Sequence, residues 1–166
     1  MQPLIETLMT KFPEAVLCVE ADTARSEVTV QVAADRILDV ARFLHDAPEA
    51  SFDHLTDICS VDYPEDRHRF EVVYHLHSLT YHRRIRLKAR VSEEDPTIAS
   101  VTSIWKGAEF LEREVYDMMG IRFRNHPDLR RILMPDDYTE GYPLRKDFPL
   151  QGKGWRDTFE FLNEKA

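Results

Sequence analysis

Apolar and polar positions alternate along this chain with two different periods. Leu4, Ile5, Leu8, Met9 and Phe12 recur at helical spacing and Pro13 interrupts them, which predicts an amphipathic helix over Met1–Phe12. Two short strands are expected next, Ala15–Glu20 and Glu27–Val32, joined by the polar hairpin loop Asp22–Ser26. In the second, Val28, Val30 and Val32 share one face because strand side chains alternate. Ile37, Leu38, Ala41 and Leu44 then form one apolar stripe, predicting a helix over Asp35–Asp46 that Pro48 ends.

Period two returns over three longer segments. Phe52–Asp62 is rich in apolar and β-branched residues, and Pro64, Glu65 and Asp66 make a turn. Arg69–His77 puts Phe70, Val72, Tyr74 and Leu76 on one face. Tyr81–Val91 sets Ile85, Leu87, Ala89 and Val91 against Arg84, Arg86, Lys88 and Arg90, the pattern of a strand with one wet or partner-facing side. Short connecting turns imply antiparallel pairing. The fold class is therefore α+β, a mostly antiparallel sheet of about five strands with helices packed on it. Asp95-Pro96 reads as a helix start. Ala108, Leu111, Val115 and Met118 predict a further helix from Gly107 to Met119, with Gly120 as its left-handed stop and Glu109–Arg113 as an outer-face pair.

After Gly120 regularity ends. Pro127, Pro135, Pro143 and Pro149 forbid long elements, yet Leu129, Ile132, Leu133, Met134, Tyr138, Tyr142, Leu144, Phe148, Trp155, Phe159 and Phe161 are too many apolar anchors for a free tail. The expected organisation is an α+β domain over 1–120 and an extended arm over 121–166 that docks on partner subunits. A tail wrapped on its own domain is the competing arrangement.

Composition narrows the chemistry. The 22 basic and 30 acidic residues give a net charge of −8, the wrong sign for a nucleic-acid partner. No run approaches the ~20 apolar residues of a membrane span, and Met1–Phe12 reads as an amphipathic helix instead of a signal-peptide core. Membrane contact is expected only indirectly. Cys18 and Cys59 are too few to hold an iron–sulfur cluster and form no CxxC pair; they are expected as buried thiols in a reducing compartment. His75, His77 and His82 lie close in sequence and could hold a metal for hydrolysis, but no further ligand frame completes them, and a solvated or partner-facing strand is preferred. For the basic row along Arg84–Arg90 a solvated face is preferred, with a protein interface second. Asp53, Asp57 and Asp62 have no facing carboxylate fixed by sequence, and the few glycines form no phosphate loop. The residues by themselves describe an α+β domain with an adhesive C-terminal segment and no catalytic apparatus.

A longer pattern adds to this. Glu112-Arg113-Glu114 is followed by two residues, Asp117, the apolar pair Met118-Met119, six residues to His126, and then Arg130-Arg131-Ile132. Gly141 to Pro149, through Leu144, Arg145, Lys146, Asp147 and Phe148, forms a second landmark, and Leu55–Pro64 with Phe70–His75 a third. Over most of the chain these stretches resemble the C subunit family of the proton-pumping NADH:quinone oxidoreductase, respiratory complex I. Met119 stands where that family's pattern has an aromatic, Asn125 where it often has glycine, and Tyr138 where it often has tryptophan. Asn125 keeps the needed tolerance of positive φ.

The resemblance implies a cofactor-free structural subunit in the hydrophilic arm, the quinone module. FMN, the Fe–S clusters and quinone would be bound by partner subunits, chiefly the equivalents of the D and B subunits of complex I. The location implied is peripheral, on the cytoplasmic side of the bacterial plasma membrane. Interface candidates are Glu112, Arg113, Glu114, Asp117, His126, Arg130, Arg131, Arg145, Lys146, Asp147 and Phe148, each as able to pair within the chain as across an interface. Related subunits occur in membrane-bound hydrogenases, formate hydrogenlyases and quinone oxidoreductases fed by other donors, which is the alternative reading.

Overall fold

The computed structural model describes residues 2–22 and 27–150. The expected hairpin loop and the arm beyond Leu150, with Trp155, Phe159 and Phe161, lie outside the described residues. In chain order the elements are helix α1 (Gln2–Lys11), strands β1 (Val16–Asp22) and β2 (Glu27–Val32), and a short 3-10 turn (Ala34–Arg36) leading into α2 (Ile37–Asp46). Strands β3 (His54–Asp62), β4 (Phe70–Ser78), β5 (Arg83–Val91) and β6 (Thr97–Ala99) follow, then α3 (Ala108–Met119) and β7 (Arg122–Arg124).

The main sheet has the order β1-β2-β5-β4-β3. The chain leaves β2, crosses through α2 to the far edge at β3, and returns by two hairpins, so β5 closes against β2 from the other direction. That pair is parallel, with Val28 opposite Ile85 and Val30 opposite Leu87; the remaining pairings are antiparallel. Short turns imply only the antiparallel pairs. The parallel one follows from the α2 crossover, which sequence periodicity does not reveal.

One face of the sheet carries the core. Val30, Phe70, Val72, Tyr74, Leu76 and Leu87 are buried there with Leu4 and Leu8 of α1 and Ile37, Val40 and Leu44 of α2. Phe12 meets Phe43 edge to face at 5.6 Å, and the Trp105 indole donates to the Phe52 carbonyl at 3.2 Å. The Trp105 polar atom is thus satisfied as the indole is buried.

The other face is charged and largely self-neutralised. Arg86 meets Glu27 at 3.2 Å, Lys88 meets Glu71 at 3.0 Å, and Arg90 reaches Glu71 at 3.1 Å and Asp66 at 2.6 Å. Arg86, Lys88 and Arg90 of the basic row are therefore paired with acidic side chains, while Arg84 is exposed. His75 and His77 are half-buried on this face and His82 is exposed in the turn; among the described residues no three His, Cys, Asp or Glu side chains converge as a metal site.

Three local expectations need correction. Asp95-Pro96 starts no helix: Thr97–Ala99 pairs in parallel with Arg122–Arg124, and Ile98 is fully buried. Three residues after a proline with a β-branched centre gain more from a strand pairing than from a helix nucleus. Glu109 and Arg113 form no pair, because Arg113 is buried and points to the chain beyond β7. Cys18 is exposed and Cys59 only half-buried, so the thiols are not core residues. They alternate outwards on β1 and β3, onto the charged face.

Candidate docking site

Helix α3 is amphipathic with a difference. Ala108, Val115, Met118 and Met119 enter the core, but so do the side chains of Glu112 and Asp117, and Arg113 is buried beside them. Consecutive Glu112, Arg113 and Glu114 point three ways, as helical geometry requires. Glu112 turns to the interior, Arg113 to the chain that follows β7, and Glu114 to solvent. The helix stops at Gly120, whose φ of 78° is left-handed and whose amide donates to the Tyr116 carbonyl at 2.8 Å. Asn125, at φ 64°, makes the second positive-φ turn and sends the chain back along α3.

The returning segment, roughly 127–148, forms a strap against its own domain. Arg113 donates to the carbonyls of Arg130 (3.1 Å) and Arg131 (2.8 Å). One turn later Asp117 accepts the next three amides, from Ile132 (3.0 Å), Leu133 (2.8 Å) and Met134 (2.8 Å), and the Arg131 guanidinium at 2.6 Å. A donor and an acceptor at i and i+4 thus satisfy five successive backbone groups of a segment with no regular structure of its own. Burial alone would raise the Asp117 pKa, but these four hydrogen bonds outweigh it and hold the carboxylate below its ordinary range.

A second clasp holds 141–148. Asp62 and Arg69, which flank the β3–β4 turn, form a buried bidentate pair at 2.7 and 2.9 Å. The Lys146 amide donates to the same carboxylate at 2.7 Å, while Arg69 also meets Asp147 at 3.1 Å and Glu93 at 2.6 Å. The Arg69 hydrogen bonds lower the Asp62 pKa, and Asp147 is held down by the same guanidinium. Arg145 stacks between Phe70 (4.7 Å) and Tyr142 (4.5 Å) and donates to the Met119 carbonyl at 2.7 Å. The Leu144 amide donates to the Met118 carbonyl at 3.1 Å, so the last turn of α3 is capped by the strap. At Gly120 a Cβ would lie 2.5 Å from the Tyr142 ring and 2.6 Å from Arg145, so glycine is needed here for space as well as for conformation.

Of the interface candidates, Arg113, Asp117, Arg131, Arg145 and Asp147 are thus brought together as the internal fastenings of the strap. Glu112 and His126 meet in the interior at 4.0 Å. Arg130 pairs with Asp128 at 2.7 Å on the surface, Glu114 and the Lys146 side chain are exposed, and Phe148 lies half-buried near Gly141. The clasp residues Asp62 and Arg69 carry no local signal, since their partner Lys146 lies 84 positions from Asp62. What the fastenings leave outside is mixed: charged side chains such as Arg130, Asp136 and Lys146, and among them large apolar ones. Leu133 and Leu144 are 59% and 57% exposed, Leu150 is fully exposed, Ile132 is partly so, and Phe110 of α3 is 59% exposed. No helix among the described residues is long and apolar enough to cross a membrane.

Comparison with known proteins supplies the context. Residues 30–154 match the model of the respiratory-chain NADH dehydrogenase 30 kDa subunit. The NADH-quinone oxidoreductase C subunit of Roseiflexus sp. (strain RS-1) is 48% identical over 156 residues, covering 94% of this chain and 88% of that one. The corresponding C subunit of Geobacter sulfurreducens is 49% identical over 146 residues, 87% of each chain. Among solved structures, the trypsin-resistant fragment (1–134) of Nqo5 superposes with a TM-score of 0.63 at 34% identity, over 77% of this chain and 98% of that one. A chain of the membrane-bound sulfane sulfur reductase, an archaeal respiratory membrane complex, shares the fold with a TM-score of 0.73 at 24% identity, over 99% and 90% of the two chains. This chain belongs to the family of the respiratory-chain NADH dehydrogenase 30 kDa subunit, whose members include these C subunits of NADH-quinone oxidoreductase.

Proposed function

We propose that this chain is a structural subunit of the quinone module of a proton-translocating NADH:quinone oxidoreductase, docking through its strap onto the equivalents of the D and B subunits. Electrons would pass from NADH through FMN and Fe–S centres of other subunits to quinone, with this chain binding no cofactor and holding the module together from the cytoplasmic side of the membrane. The observation that carries the reading is the division of labour in the strap. Six of its backbone polar groups are turned inwards to Arg113, Asp117 and Asp62, while Ile132, Leu133 and Leu144 are left outside. Apolar side chains presented on an already ordered backbone gain affinity because the ordering cost has been met before the partner arrives. The identity of the relatives favours NADH as donor; the fold is shared with a sulfane sulfur reductase chain and is silent on this point.

The test is affinity purification of the tagged chain from gently solubilised membranes, with partners identified by mass spectrometry. Recovery of the NADH-oxidising subunits together with the D and B equivalents is expected. Recovery with hydrogenase or sulfur-reductase subunits moves the chain to another machine, and recovery as a monomer sinks the docking role.

A further inference from the structure

Three buried titratable groups meet beside α3, apart from the two clasps that hold the strap. Glu112 Oε1 accepts the Val101 amide at 2.7 Å, but Oε2, equally buried, has no hydrogen-bond partner among the described residues. The Tyr74 hydroxyl, from β4, is buried and unpartnered in the same sense. Oε2 faces His126 Nε2 at 4.0 Å, with both side chains fully buried. The state of that imidazole follows from its neighbours. Nδ1 lies 3.0 Å from the Asp128 amide, which can only donate, so Nδ1 is an unprotonated acceptor. Nε2 lies 3.0 Å from the Glu109 carbonyl, which can only accept, so Nε2 carries the proton. The ring is neutral and links the Glu109 carbonyl of α3 to the Asp128 amide at the start of the strap.

The groups facing Glu112 are Tyr74 from β4, Ser100 and Val101 from the loop before α3, and His126 from the turn after β7. Among the described residues no lysine or arginine pairs with it; Arg113, its neighbour, points to the strap. An ionised carboxylate would be a buried, uncompensated charge, the costliest state for this side chain.

We propose that Glu112 is a buried proton-binding site whose occupancy His126 reads. With the carboxyl protonated, the His126 Nε2–H rests on the Glu109 carbonyl. When Glu112 loses its proton to solvent, the carboxylate draws that N–H across the 4.0 Å gap, and the Asp128 turn shifts with the ring. The step is one proton dissociation, with no redox or covalent change. Burial pushes the Glu112 pKa up to about 7, which places the transition in the physiological range. The site is independent of which complex the chain joins.

The test is a pH titration from about 5 to 9 of the ¹⁵N-labelled full chain by NMR, the range set by the neutral-pH window of such switches. The His126 Nε2–H and Asp128 amide resonances should move together with one inflection near pH 7. Glu112→Gln should hold both at their low-pH positions throughout. A flat His126 signal in the unsubstituted chain, an inflection surviving in E112Q, or ¹⁵N shifts of a doubly protonated imidazolium each overturn the proposal. Should E112Q not fold, the Glu112 side-chain carboxyl carbon is followed in the unsubstituted chain. Its inflection must coincide with that of His126, and two separate inflections also overturn it.

Discussion

At the residue scale, buried acids of opposite tendency sit on one helix. Asp117 is an anion held in place by four hydrogen bonds, whereas among the described residues no lysine or arginine pairs with Glu112 and its Oε2 has no hydrogen-bond partner. Their linkage to pH therefore has opposite signs. Glu112 binds its proton more tightly folded than unfolded, so its contribution is full below about pH 4.5 and is lost as pH rises to about 7. From the two pKa values this amounts to about 3 kcal/mol at most. In urea unfolding the loss across that interval should disappear in Glu112→Gln; an unchanged pH slope would show that the carboxyl is not the titrating group. Asp117, with its pKa lowered, contributes stability that is present above its unfolded value of 3.8 and lost as pH falls through its folded one. Asp117→Asn removes the charge and, with its one oxygen kept on the three backbone donors, sets an NH2 against the Arg131 guanidinium. A cost of about 3 kcal/mol, with faster proteolysis of 127–148, is expected.

At the element scale, the strap is an irregular segment made definite by two clasps and one glycine. Arg69→Ala leaves Asp62 buried and unpaired, a change that costs about 3–5 kcal/mol. It should free the Lys146 amide to exchange with solvent, observable by hydrogen exchange. Gly120→Ala meets Tyr142 and Arg145 and forces a left-handed alanine, so a loss of about 1–3 kcal/mol and release of 141–148 are expected by limited proteolysis. How much of this is legible in the sequence depends on range. The helix ending at Gly120 and the Asn125 turn are readable because the cue and the geometry share a residue. The alternating strands are readable because one face is buried. Spacing alone assigns Arg113 to Glu109 wrongly, because i,i+4 offers two acidic neighbours, Glu109 before it and Asp117 after it. Only the returning strap decides that each of Arg113 and Asp117 binds backbone and neither binds the other. The Asp62–Lys146 contact and the parallel β2–β5 pair are long-range and leave no mark in local periodicity.

At the scale of the whole molecule, the strap gives a small α+β domain a set of exposed apolar side chains held on an ordered backbone. Sequence places apolar anchors after Gly120 but does not say which of them face inwards. Tyr138 is buried and Leu129 packs on the core, while Leu133 and Leu144 are turned out. The substitution that separates folding from assembly is therefore Leu133→Asp. Its side chain is exposed and its backbone amide stays on Asp117, so stability should change by no more than about 0.5 kcal/mol. A buried charge at a docking surface should instead cost most of the binding.

Co-purification of tagged Leu133→Asp and unsubstituted chains from the same membranes is the most direct measurement. The proposed role predicts equal melting temperatures, with the D and B equivalents recovered on the unsubstituted chain and lost from the variant. Full recovery of those partners on a folded Leu133→Asp chain would contradict the claim that the strap's outer face is where this protein docks.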